Sequence, residues 1–152
     1  YLKIMASRIG SMEQNKVRNY LLSKPEAEED FPFGQDTMVF KVKGKMFALL
    51  SYGSGSTPDK RPQMNLKCDP LEAIQLRDVF DDVIAGYHMN KKHWNTLYLS
   101  DAHNVSDLPE GEVQRQIDNS YRLVVKGMTK AQRSSLEMQY SNEQLYGPDF
   151  SE

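Results

Sequence analysis

The stretch Tyr87-His88-Met89-Asn90-Lys91-Lys92-His93-Trp94-Asn95-Thr96-Leu97-Tyr98-Leu99 decides how this chain is read. It contains the only Trp and two of the three His, with a polar, basic centre between strand-like ends. Trp94 to Leu99 is rich in aromatic and β-favouring side chains, which suits a strand. Val83 to Met89 is its expected upstream partner, with Ala85-Gly86 as a weak point or bulge. Asn90 to His93 is then a short polar connection. A loop held between two strands presents its side chains in a fixed geometry, where binding groups tend to collect.

Upstream of this stretch, Asp69-Pro70 opens a helix. Asp69 suits the N-cap, Pro70 the first turn, and Glu72 complements the helix dipole. Leu71, Ile74 and Val79 are expected to face inward, with Leu76 and Phe80 close by. Further back, Thr37–Val42 and Lys45–Tyr52 read as strands joined by a tight turn at Lys43-Gly44. A two-residue turn pairs Phe40 with Phe47 and Met38 with Leu49 on the core face. Gln63–Lys67 is a third short strand. Gly53 to Pro62 reads as a flexible Gly/Ser-rich connection with a basic end. Ser11–Ser23 is a helix candidate ended by Pro25. Pro25 to Gly34, with Glu26, Glu28, Glu29 and Asp30, reads as an acidic, solvated link.

Downstream, a helix is expected over roughly Pro109–Lys126, with Val113, Ile117, Tyr121 and Val124 as its apolar stripe and Gly127 as its stop. Thr129 with Gln132 caps a last helix running to about Tyr140. Residues 141–152 read as a loosely held tail.

The chain has 152 residues and a net charge of −2. That length suits one domain, here residues 12–140, and one core. Gly10-Ser11-Met12 resembles a cloning junction, so residues 1–11 are expected to be an added leader. The near balance of charge excludes a global basic field but not a local patch. Cys68 is the only cysteine, which rules out an internal disulfide and suits a reducing, cytoplasmic setting. The longest apolar run, Met46–Leu50, is far too short to span a membrane.

Several blocks in order resemble the MmcQ/YjbR family of small bacterial proteins. They are Pro32-Phe33-Gly34, Lys45-Met46-Phe47-Ala48 and Leu66-Lys67-Cys68-Asp69-Pro70. The most specific is His88-Met89-Asn90-Lys91-Lys92-His93-Trp94-Asn95-Thr96, and Leu108-Pro109 and Ser120-Tyr121 complete the set. The resemblance covers about Met12 to Leu136. It implies an α+β fold of the CyaY-like or secretion-chaperone-like kind. An N-terminal helix would precede an antiparallel sheet of about five strands with helices packed on it. It also implies DNA binding through a double wing, here the Lys43-Gly44 hairpin and the Gly53 to Pro62 loop. The chain departs from the family pattern in a longer second wing, a longer Ser100 to Asp107 loop and an acidic tail.

Candidate functional residues follow. Lys41, Lys43, Lys45, Lys60, Arg61, Lys91 and Lys92 are the candidate nucleic-acid surface, since each Lys or Arg that neutralises a phosphate releases a counterion. No recognition helix with base-reading residues is evident, so contact would be weak and backbone-directed. The bland reading is a solvated lysine face that guards a sheet edge. His88, Asn90, Lys91, His93 and Trp94 form the signature. They offer imidazole, amide and ammonium donors for a small anion or metabolite pocket, or they build a structural turn. Ser120 and Tyr121 could bond that turn from behind or simply pack. The spacing of His88, His93, His103 and Cys68 matches no zinc pattern, so no metal or other cofactor is expected. Cys68 reads as a buried structural thiol rather than a nucleophile. The sequence spells out no catalytic mechanism, so binding is expected ahead of catalysis, with DNA or a protein as the partner. A small-molecule pocket at Asn90 to Trp94, enzymatic or not, is the third alternative.

Overall fold

The computed structural model describes residues 15–52 and 61–148. The expected leader and residues 53–60, which include Lys60, lie outside the described residues. Helix α1 covers residues 15–22. It is followed by β1 (Ala27–Asp30), β2 (Thr37–Val42), β3 (Lys45–Ser51) and β4 (Gln63–Lys67). Next come α2 (Pro70–Val79), β5 (Val83–Ala85) and β6 (Trp94–Tyr98), and then α3 (Glu110–Lys126), α4 (Lys130–Glu137) and α5 (Asn142–Tyr146). The strands form one antiparallel sheet in the order β1-β2-β3-β4-β6-β5. This is the α+β arrangement expected, with six strands rather than about five.

The added strand is β1, which the sequence presents as an acidic link. Two of its acids pair with cations rather than being merely solvated. Glu29 accepts from Arg18 Nε of α1 at 2.9 Å, and Asp30 accepts from Lys41 Nζ at 3.4 Å. A short strand carrying carboxylates also makes a poor template for a further strand, which protects the sheet edge.

Cross-strand neighbours share a face, so the register sorts the sheet into rows. Met38, Leu50, Met64, Leu97 and Val83 form one such row, and all five are buried. Helix α3 packs over β3 and β4, and α2 over β5 and β6. The expected stripe of α3 is buried, and Thr129 and Gln132 form the expected capping box of α4. Among the described residues, no helix is long and apolar enough to cross a membrane.

Three expectations are corrected. First, the β2–β3 register slips. The turn itself is as expected, with Lys43 at φ 48° and Gly44 at φ 77°, the positive values a type I′ hairpin needs. Val42 faces Lys45 and Lys41 faces Met46, but Phe40 then faces Ala48 and Met38 faces Leu50. Phe47 is the extra residue of a bulge, and its ring packs edge-on against Tyr121 at 5.2 Å. Second, α2 is turned around. Leu71, Ile74 and Val79 are 67%, 55% and 70% exposed, whereas Ala73 and Leu76 are buried. Ala73 is small enough for the helix to sit close to β6, where Asn95 Nδ2 donates to Ala73 O at 3.3 Å. Third, the expected tail contains α5. Ser141 and Gln144 form a capping box, Leu145 and Tyr146 are buried, and the Tyr146 hydroxyl donates to Glu137 at 2.7 Å.

Candidate functional site

The signature segment builds a wound turn between β5 and β6. Gly86 N donates to Trp94 O at 2.9 Å, and Met89 N donates to Gly86 O at 3.2 Å. Asn90 O accepts from His93 N at 3.1 Å and Trp94 N at 3.0 Å, while its side-chain oxygen accepts from Lys92 N at 3.1 Å. Asn90 therefore closes the turn with both its oxygens. Tyr87 N donates to Thr96 Oγ1 at 2.9 Å, and the Thr96 hydroxyl bonds Asn65 of β4. His93 O accepts from Cys68 N at 2.8 Å, which ties the turn to the start of α2. His88 is exposed at φ 60°, with its ring 4.1 Å from that of Tyr87. His93 and Trp94 are half-buried, and Lys91 Nζ reaches back to Gly86 O at 3.3 Å.

The residue that holds this turn from behind is Arg77, which has no marker in the sequence beyond its place in the last turn of a helix. Its Nε donates to Asn95 Oδ1 at 2.7 Å, and its Nη2 bonds Lys91 O and Trp94 O. The rotation of α2 that exposes Leu71 and Ile74 is the one that aims Arg77 at the turn. Replacing Arg77 by Ala is expected to cost about 2 kcal/mol, the scale of hydrogen bonds made by a charged group. Arg77→Lys should recover little, because an ammonium lacks the planar fork that serves several acceptors at once. Urea melts followed by Trp94 fluorescence test this, and a Lys variant as stable as the parent would show that charge alone suffices.

The hydroxyls of Ser120 and Tyr121 bond elsewhere than at the turn. Ser120 Oγ donates to Phe47 O at 2.6 Å and accepts from Lys67 N at 2.8 Å, bridging β3 and β4. The Tyr121 hydroxyl donates to Pro25 O at 2.7 Å. Cys68 is buried. Burial first, then the charges of Glu72 and Asp69, push its thiol up to about 11, which leaves it a poor nucleophile near neutral pH. Among the described residues, no group of three or more His, Cys, Asp or Glu could hold a metal ion.

The candidate cations divide between the two ends of the sheet. The Lys43-Gly44 turn, the start of β3, the end of β4 and the start of β6 lie at one end, since Lys67 pairs with Trp94 and Val42 with Lys45. Lys45, Lys91 and Lys92 are exposed there, and Lys67 is half-buried. Lys43 lies 3.4 Å from Glu26. Two nearby acids are engaged elsewhere: Asp69 caps α2, and Glu72 pairs with Arg115 at 2.8 Å. Arg61 precedes β4 at the opposite end. It pairs with Asp82 at 2.8 Å and lies 4.4 Å over the Tyr98 ring. Burial pulls the Asp82 carboxyl upward, but donation from Asp107 N–H and Arg61 outweighs it and holds it below its ordinary range. The seven residues of β3, at about 3.3 Å each, separate the two ends by roughly 20 Å. The flanks of the two expected wings thus sit at opposite ends of the sheet rather than side by side.

The family model YjbR matches residues 22–123. An uncharacterized protein YbdF from Escherichia coli O157:H7 is 36% identical over 72% of this chain and 81% of its own length. An uncharacterized protein YjbR from Escherichia coli K12 is 29% identical over 82% of this chain and 98% of its own. Among solved structures, Deinococcus radiodurans protein DR2400, with domain DUF419, superposes with a TM-score of 0.67 at 33% identity. That match covers 81% of this chain and 86% of DR2400. A protein from Pseudomonas syringae superposes with a TM-score of 0.59 at 28% identity, covering 72% of this chain and 96% of its own. The chain belongs to the YjbR family.

Proposed function

We propose that this protein is a non-enzymatic binder of the nucleic-acid backbone, acting through the basic end of its sheet and working in a reducing, cytoplasmic setting. One observation carries the reading. Lys45, Lys67, Lys91 and Lys92, which belong to three separate segments, come to the same end of the sheet. Lysine is a flexible point charge suited to phosphates rather than to reading base edges, so binding is weak and indifferent to sequence. The surface differs from a double wing. Lys41 and Lys43 are partly neutralised by Asp30 and Glu26, and Arg61 belongs to the other end of the sheet.

The test is fluorescence anisotropy with labelled duplex and single-stranded DNA at low and at physiological salt. The logarithm of the affinity should fall linearly with the logarithm of salt concentration, with a slope of about −0.9 for each duplex phosphate contacted. The double variant Lys45→Glu, Lys92→Glu should weaken duplex binding more than about tenfold and flatten the slope by about two. Arg61→Gln, at the opposite end of the sheet, should leave both unchanged. Equal loss from Arg61→Gln would restore the double wing, and no binding even at low salt would remove the reading.

A protein partner is the second reading. It is favoured by the exposed row Leu71, Ile74 and Val79 on α2, since apolar side chains grouped on one helix face mark interaction surfaces. Co-purification of a stable protein partner by a variant that binds no DNA would favour it.

A further inference from the structure

A pocket of about 160 Å³ opens between α1, α3 and the loop that follows β6. It is separate from the basic end of the sheet and from the signature turn. Val17, Leu99, Leu108, Val113 and Ile117 give it an apolar lining. A dry cavity of similar size, about 150 Å³, holds a benzene ring, so this one accommodates a branched aliphatic group.

Its rim is polar and carries both charges. Lys16 and Glu110 both line the pocket, 3.8 Å apart, with side chains 67% and 65% exposed. A pair so exposed and so long contributes little to stability, and opening it is easy. The hydroxyls below the rim are differently committed. Ser106 Oγ donates to Tyr98 O at 2.7 Å and accepts from Leu108 N at 3.1 Å, while Tyr20 donates to Asp118 at 2.7 Å. Ser100 Oγ accepts from Ser106 N at 2.9 Å, and its own proton has no acceptor among the described residues. The Ser100 hydroxyl and the Gln114 amide are therefore the uncommitted donors among the lining side chains.

We infer that this pocket binds a small zwitterion with a branched aliphatic side chain, of the size of leucine. The side chain fills the apolar lining. The carboxylate meets Lys16 and the Ser100 hydroxyl, and the ammonium meets Glu110. A simple carboxylate of the same shape leaves Glu110 facing a like charge, and a simple amine does the same to Lys16. Only a head with both charges matches a rim with both.

The experiment follows backbone amide shifts of the full chain on addition of leucine, 4-methylpentanoate or 3-methylbutylamine at millimolar concentration. Leucine should shift the amides of Ser100, Ser106 and Leu108 saturably. The two single-charge analogues should bind roughly 3–10-fold more weakly, the ratio that one or two exposed ion pairs supply. Val17→Phe, which fills the pocket from a half-buried position, should abolish the shifts. Gln114→Phe at the rim is a second blocking variant should the first fold poorly. Lys16→Glu should weaken leucine by a similar ratio. Absence of saturable shifts overturns the inference, and so does binding of 4-methylpentanoate as tight as that of leucine. Shifts that persist in both filled variants overturn it as well.

Discussion

Ser120→Ala is expected to lower the stability of the fold by about 3 kcal/mol, from the loss of one oxygen atom. Ala48 pairs with Leu66, so continuing the register would set Phe47 opposite Lys67. The bulge at Phe47 breaks that continuation, and the ladder between β3 and β4 ends one residue early. The Ser120 hydroxyl stands in the gap, donating to Phe47 O and accepting from Lys67 N. Its side chain is fully buried, so water does not readily take its place. Removing it orphans one acceptor and one donor, at about 1–3 kcal/mol each. For a chain of this size that corresponds to a fall in Tm of roughly 10 °C. Thermal and urea melts check it, with Ser120→Cys as a variant of nearly the same shape that keeps only a weak donor. An Ala variant within about 1 kcal/mol of the parent would show that the strands close on each other unaided.

Gly86→Ala is the second large effect. Gly86 is buried, and its N–H donates to Trp94 O. A Cβ added there would lie 2.9 Å from Trp94 Cβ, 2.9 Å from Trp94 O and 3.0 Å from Met89 Cβ. None of these is the far end of a flexible side chain, so the backbone of the turn itself must shift. Overpacking of this kind costs about 1–3 kcal/mol. The damage also reaches the candidate interface, because Lys91 and Lys92 are carried by the turn that moves. The variant should melt earlier, lose amide protection at Gly86 and Trp94, and bind DNA more weakly at low salt. A Gly86→Ala protein with the parent's melting curve and Trp94 emission would mean that the turn has room to spare.

The same two sites show how far the sequence carries. Ala85-Gly86 stands out from residue type alone as a weak point or bulge, whereas the close approach of Trp94 and Met89 to Gly86 does not. The hydroxyl of Ser120 does not, because a serine within an amphipathic stripe looks the same whether it packs or bridges. Local chemistry is legible throughout: the Asp69-Pro70 helix start, the Lys43-Gly44 turn, the apolar stripe of α3 and the capping box at Thr129. Each depends on residues within a few positions of one another, which is the range over which propensity and periodicity act.

The expectations that fail depend on partners remote in sequence. The strand β1 is acidic and unlike a strand by composition, yet it pairs along β2, and Arg18 and Lys41 offer cations to Glu29 and Asp30 there. The sequence points to the wrong face of α2 because apolar residues occupy two sides of that helix. The choice between them falls to Ala73 and Arg77, through their bonds to β6 and the signature turn. Among the candidate cations, the sequence groups Lys43 with Arg61 because they are near in the chain, whereas an antiparallel strand sends them to opposite ends of the sheet.

By itself, then, the sequence determined the position of a polar turn with basic residues and most of the elements, which follow from local pattern and residue type, and the family and its α+β fold through the resemblance of its motif blocks. Only the tertiary structure decided which lysines share a surface, which side of α2 is covered and that a serine closes the sheet. Those outcomes are set by strand register and helix rotation, and a shift of one residue or part of a turn in either reverses them.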